Sequence, residues 1–155
     1  NCRLGSGIAP LRAMRDAGVT VGLGVDGSAS NDAGNLVAEA RQAMLLQRVA
    51  RGADAMSARE ALEIATRGGA DVLGRPDCGR LAVGKCADIA VWDMTGVAAS
   101  GSWDNAALLL AGPTTVRDLF VNGSGVVRDG QITTIDLRAV LAEQKKLAKQ
   151  LGDHL

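Results

Sequence analysis

This sequence is nearly without aromatic side chains: one phenylalanine, two tryptophans and no tyrosine in 155 residues. Binding to nucleic acid through stacked bases therefore finds no support, and the interior has to be assembled from Ala, Leu, Val and Ile. Neither sign of charge is in excess, with 17 basic against 17 acidic residues. Electrostatics accordingly gives no reason to expect nucleic acid or an anionic membrane as a partner. Cysteine is sparse and unpaired in number: Cys2, Cys78 and Cys86 show no C-x-x-C spacing. That argues against a disulfide framework or a zinc knuckle. With no second ligand nearby in sequence, all three read as small apolar or surface residues. The single histidine, His154, falls on a C-terminal helical pattern and reads as a solvated residue rather than a ligand. No apolar run is long enough to span a bilayer and no signal-peptide pattern opens the residues, so a cytoplasmic setting is expected. The opening "NCRLGSG" lacks an initiator methionine and reads as loop, so the sequence is expected to begin inside a longer protein.

What is present is globular material, 47% hydrophobic and 22% charged, enough to bury a core. "GIAPLRAMRDAG" predicts a short helix entered at Pro10 and closed at Gly18. "VTVGLGV" (19–25) is β-branched and apolar with poor alternation, the pattern of a strand buried on both faces. Leu36, Val37, Ala40, Met44, Leu45 and Val49 recur at helical spacing up to Gly52. Ser57 followed by Glu60 is a capping-box pattern that opens a further helix. Beyond residue 75 the character changes. "GRLAVGKCADIAVWDM" predicts two short strands across a Gly-Lys turn, and "TTVRDLFVNGSGVVRDGQITTID" predicts strands joined at Asn122-Gly123 and Asp129-Gly130. Trp92 and Trp103 are expected to pack within this β unit. "DLRAVLAEQKKLAKQLGDHL" closes as an amphipathic helix.

Residues 19–32, "VTVGLGVDGSASND", pose the functional question. Gly22, Gly24 and Gly27 spell G-x-G-x-x-G after an apolar run, the pattern of a dinucleotide-binding turn. That reading needs a second strand after the following helix, with an acidic residue at its end to hold a ribose. Here one helical pattern follows another, and Glu39 falls inside the first of them. A nicotinamide-dependent oxidoreductase is thus disfavoured. The other reading puts Asp26 at the carboxyl end of a barrel strand, where (β/α)8 enzymes carry their chemistry. Asp-Gly is also a common turn pair, so the residues alone leave Asp26 open between catalytic acid and turn cap.

Three quoted stretches carry a resemblance. "NCRLGSGIAPLRAMRDAGVTVGLGVDGSASND", "GRLAVGKCADIAVWD" and "VRDLFVNGSGVVRDGQI" occur in this order. They resemble, respectively, the segment from the loop after barrel strand seven through strand eight, the exit into a small β-sandwich, and its closing hairpin. The family is the metal-dependent amidohydrolases, in the group of purine, pyrimidine and triazine deaminases. Within it, "RLGSGIAP" and "LGVDGSASND" are most similar to the members that deaminate 8-oxoguanine. The resemblance implies an α/β fold: 1–74 as the last strand–helix units of a (β/α)8 barrel, and 75–155 as β-sandwich strands with a C-terminal helix.

It also implies chemistry. The family's strand-eight aspartate matches Asp26, which there binds one divalent metal, zinc or iron(II), and takes a proton from the water that the metal activates. The reaction implied is hydrolytic deamination of an aminated heterocycle, 8-oxoguanine or a related purine, pyrimidine or triazine, with release of ammonia. The partners implied are that small molecule and water, with a homodimer as an assembly found among relatives. Ser28, Ser30 and Asn31 could orient the carboxylate or reach substrate, and Asn1, Arg3 and Ser6 match a loop at the mouth. Relatives hold their metal with histidines that have no counterpart here, so these residues alone are expected to be inactive. The alternative is a non-catalytic truncated homologue acting as a binding or assembly module.

Overall fold

The computed structural model of the chain describes residues 1–31 and 33–153, so His154 lies outside the described residues. The described residues form two compact units, one made of 1–86 with 94–114 and the other of 87–93 with 115–153. No helix among them is long and apolar enough to cross a membrane.

The first unit is helical. α1 (Leu11–Asp16) follows Pro10, which pre-sets a helical φ but offers no side-chain cap; Gly18 beyond its end adopts φ 75°. α2 (Leu36–Arg51) is capped by Asn35, whose side chain accepts from the N–H groups of Val37 and Ala38, and it ends at Gly52. α3 (Ala58–Glu63) opens on the capping box read in the sequence: Ser57 and Glu60 each accept from the other's backbone N–H. The pattern from 57 to 73 predicts one uninterrupted helix. The structure instead inserts a π-helical turn, Ile64–Gly68, before α4 (Gly69–Val72). The cause is a close approach: a Cβ on Gly68 would run into the Val21 carbonyl oxygen, and one on Gly22 would come within 2.9 Å of Gly69 Cα. The helix widens where residues 21–22 cross it.

Residues 19–27 form no strand. A strand needs a neighbour to complete its ladder, and among the described residues none pairs with this segment. It is not buried on both faces as expected: Val19 is half exposed, while Val21 and Leu23 pack on a cluster of Leu11, Ala40, Ala43, Met44, Met56, Ala58, Ala61, Ile64 and Leu110. The alanines, having only a methyl, let α2 and α3 approach closely. α5 (Asn105–Ala111), unforeseen in the sequence, joins this core through Leu110, with Ala106 and Ala107 packed against it. Arg41 of α2 fastens its end by donating to the carbonyls of Leu110 and Ala111, at 2.6 and 2.9 Å. Trp103, before α5, is 95% exposed and packs nothing: it sits in the loop whose Asp104 is spent capping α5.

The second unit is an antiparallel sheet in the order β1–β2–β3–β4: Ile89–Asp93, Thr115–Val121, Ser124–Arg128 and Gln131–Ile132. Both tight turns are as the sequence predicts. Asn122-Gly123 and Asp129-Gly130 have positive φ at each residue, the twist-compatible hairpin geometry. The expected strand around Leu81–Val83 is absent, and β1 pairs with β2 instead, Ile89 opposite Phe120. Residues 78–86 are drawn into a loop closed by Cys86 N–H donating to the Asp77 carbonyl at 2.8 Å. α6 (Leu137–Gly152), capped by Asp136, has no buried residue.

Candidate active site

An open cavity of about 740 Å³ lies within the first unit, lined from the N-terminal loop, the 22–33 segment and α2. Asp26 stands on its wall with φ 63°, a left-handed conformation that disfavours most side chains and that Asp and Asn tolerate best. Its Oδ1 accepts from the adjacent Gly27 N–H at 2.8 Å. Its Oδ2 accepts no hydrogen bond from the described residues, and the residue is exposed. The turn that follows is tied by Ser30 and Asn31 N–H, both donating to the Gly27 carbonyl at 2.9 Å.

Asn1, Arg3, Ser30 and Asn31 share this cavity with Asp26; Ser28 and Ser6 are exposed and outside its lining. Asn31 is held at both ends of its amide. Nδ2 donates to Glu39 Oε1 at 2.7 Å, and Oδ1 accepts from Ala33 N–H at 3.2 Å. Glu39 thereby fixes the loop to α2, a role that sequence reading missed. Its position in the first turn of α2, next to the buried Ala40 and Ala43, was the available signal. Gln47, also missed, is 1% exposed. It donates from Nε2 to the Ala9 carbonyl at 2.9 Å and accepts at Oε1 from Arg12 N–H at 3.2 Å. It supplies the cap that Pro10 cannot, satisfying an orphan donor of α1 from another helix. A glutamine on the apolar stripe of α2 was its signature.

Of the three glycines in the pattern, Gly22 is accounted for by packing, whereas a Cβ at Gly24 or Gly27 would meet open space. Gly22 faces Gly69, and α2 begins only at Leu36, well past Gly27, so no helix N-terminus presents its N–H groups to a phosphate at this turn.

A divalent ion is compatible with Asp26 as one oxygen donor. It is not caged by this cavity alone. Among the described residues the one convergence of three His, Cys, Asp or Glu ligand atoms is Asp77, Cys78 and Cys86, and none of these lines the cavity. A four-coordinate site would take Asp26 as a single ligand and its remaining ligands from beyond the described residues.

Comparison with known proteins places this geometry. The amidohydrolase family profile matches residues 1–132. The 8-oxoguanine deaminase of Pseudomonas aeruginosa is 46% identical over 152 residues, which cover 97% of this chain and 34% of that protein. The solved structure of the atrazine chlorohydrolase TrzN from Arthrobacter aurescens TC1, complexed with zinc, superposes with a TM-score of 0.85 at 42% identity, covering 94% of this chain and 33% of that one. An adenosine deaminase structure from Xanthomonas campestris with bound zinc gives a TM-score of 0.91 at 29% identity, covering 99% and 36%. The chain thus spans about a third of the length of the proteins it matches.

Proposed function

The chain belongs to the amidohydrolase family, and from that premise we propose that it forms the C-terminal part of a metal-dependent aminohydrolase, with Asp26 as its catalytic carboxylate. Residues 1–74 supply the last strand–helix units of a (β/α)8 barrel and 75–155 the strands and helix of a small β-sandwich. The supporting observation is the placement of Asp26: backbone held in a left-handed turn, one oxygen tied to Gly27 N–H at 2.8 Å, the carboxylate on the wall of a cavity of about 740 Å³. That volume suits a single heterocycle.

A divalent metal, zinc or iron(II), supplies Lewis acidity that makes water a nucleophile near neutral pH. Asp26 would hold such an ion through a carboxylate oxygen and would receive the proton that the attacking water gives up. It then returns that proton to the amino nitrogen as the carbon–nitrogen bond breaks and ammonia leaves. Asn31, kept in place by Glu39, and Arg3 border the space where the ring sits. The substrate is an aminated heterocycle, with 8-oxoguanine favoured by the similarity to the Pseudomonas enzyme and related purine, pyrimidine or triazine rings as the wider class. The setting is the cytoplasm and the assembly a homodimer.

The test is Asp26→Asn in the active enzyme. Asn tolerates the same backbone conformation, so the thermal midpoint should hold while ammonia release from 8-oxoguanine falls by about 10²–10⁴-fold. A variant retaining most of the wild-type rate would overturn the assignment.

A further inference from the structure

The loop after α4 gathers two thiols, a carboxylate and a guanidinium that the Asp26 site does not use. Ligand atoms of Asp77, Cys78 and Cys86 lie within 4.8 Å of one another. The Cys86 thiol donates to Asp77 Oδ2 at 3.2 Å. Arg75 grips the same carboxylate at two points, Nε to Oδ1 at 2.8 Å and Nη2 to Oδ2 at 2.7 Å. That Nη2 also lies 3.2 Å from Cys78 Sγ and 3.9 Å from Cys86 Sγ. The backbone sets the approach: Cys86 N–H donates to the Asp77 carbonyl at 2.8 Å, and Lys85 Nζ to the Pro76 carbonyl at 2.7 Å. The two cysteines therefore face each other across the neck of a closed loop. Gly79, at φ 78°, lets that loop press on Ala70 and Arg67, where a Cβ would meet atoms at 2.8 and 3.0 Å. Both thiols are reduced and half-buried, open to a small solute.

We propose that Cys78 and Cys86 are a hydroperoxide-sensitive dithiol that closes to a disulfide. Cys78, nearer the guanidinium, attacks one oxygen of hydrogen peroxide as the thiolate. The O–O bond breaks, the sulfur becomes a sulfenic acid, and the other oxygen departs as hydroxide, taking a proton to become water. Cys86 Sγ then attacks Cys78 Sγ, the S–O bond breaks, and the Cys86 proton joins the departing hydroxide to form water. The balance is two thiols and one hydrogen peroxide to one disulfide and two waters, sulfur oxidised and peroxide reduced.

The geometry also separates the two roles. The Cys86 thiol is pushed up to about 11 by its hydrogen bond to Asp77, with Cys78 and partial burial acting in the same sense, so it stays protonated and acts second. A resident metal ion is disfavoured by the same contacts. The Arg75 cation already touches all three ligand atoms, and metal ligation would require both thiols to lose their protons.

The experiment treats the reduced chain with stoichiometric hydrogen peroxide and maps its peptides without reduction, exposed Cys2 serving as the internal reference. The expected result is a Cys78–Cys86 cross-link that forms while Cys2 remains alkylatable and that dithiothreitol reverses. Cys86→Ser should let dimedone trap a sulfenic acid on Cys78, and Arg75→Gln should slow cross-linking roughly tenfold. The proposal is overturned if Cys2 oxidises first with Cys78 and Cys86 still separately alkylated. It is equally overturned if one equivalent of zinc(II) shields both thiols from alkylation, which would make the cluster a metal centre.

Discussion

Asp26 and Gln47 show two ways in which one residue serves the cavity. Asp26 lines the cavity and draws one local hydrogen bond, from Gly27 N–H, and is the carboxylate proposed above for catalysis. Gln47 is spent on structure: its amide joins the Ala9 carbonyl and the Arg12 N–H to α2, holding the strand of chain that forms one wall of the cavity. Gln47→Leu keeps the volume and removes both partners. The abandoned carbonyl and N–H are then desolvated without compensation, which costs about 1–3 kcal/mol. Urea denaturation is the check, and an unchanged midpoint would show that water replaces the amide. Asp26→Asn, by contrast, tests the proposed activity and is expected to leave the unfolding midpoint in place.

At the scale of elements, the α3 start and its π turn make opposite demands on sequence. The Glu60 carboxyl is held below its ordinary value, first by the Ser57 backbone N–H at 2.8 Å, then by the Ser57 hydroxyl, Arg15 and Arg12, with partial burial opposing. A carboxyl depressed by folding contributes stability that is complete above the unfolded value, about 4.3. That contribution fades as pH falls through the lower folded value. The gap in thermal midpoint between wild type and Glu60→Gln should therefore be widest at neutral pH and narrow in acid. Ser57→Ala should cost about 1 kcal/mol at any pH where Glu60 is ionised. At the other end, Gly68→Ala would be stabilising by about 1 kcal/mol in an ordinary helix. Here the new methyl collides with the Val21 carbonyl, and the expected outcome is a loss of about 1–3 kcal/mol, read by chemical denaturation.

Across the molecule, two helices of 16 residues have unlike surroundings. α2 buries Ala40, Ala43, Met44 and Gln47, whereas α6 buries nothing and leaves Val140, Leu141, Leu147 and Leu151 about half exposed or more. Helices of this length are marginal without packing. Amide exchange followed by mass spectrometry should show α2 protected and α6 exchanging early, by local opening rather than global unfolding. Equal protection of the two would mean that α6 is covered in solution.

Much of this protein was legible from local chemistry. The capping box at Ser57, the stops at Gly18 and Gly52, and the Asn122-Gly123 and Asp129-Gly130 turns depend on residues within a few positions of each other. So they could be read from the sequence, as could the three ordered motifs that carry the family. What tertiary structure alone decided involves groups far apart in the chain. Gln47 caps α1 across 35 residues, Arg41 closes α5 across 69, and Val21 opens a π turn at Gly68. Residues 19–27 read as a strand by composition, yet composition cannot supply the neighbour that a ladder requires. Cys78 and Cys86 looked unrelated for a similar reason: their spacing matches no ligand motif, and only the folding of the loop at Asp77 brings the two sulfurs together.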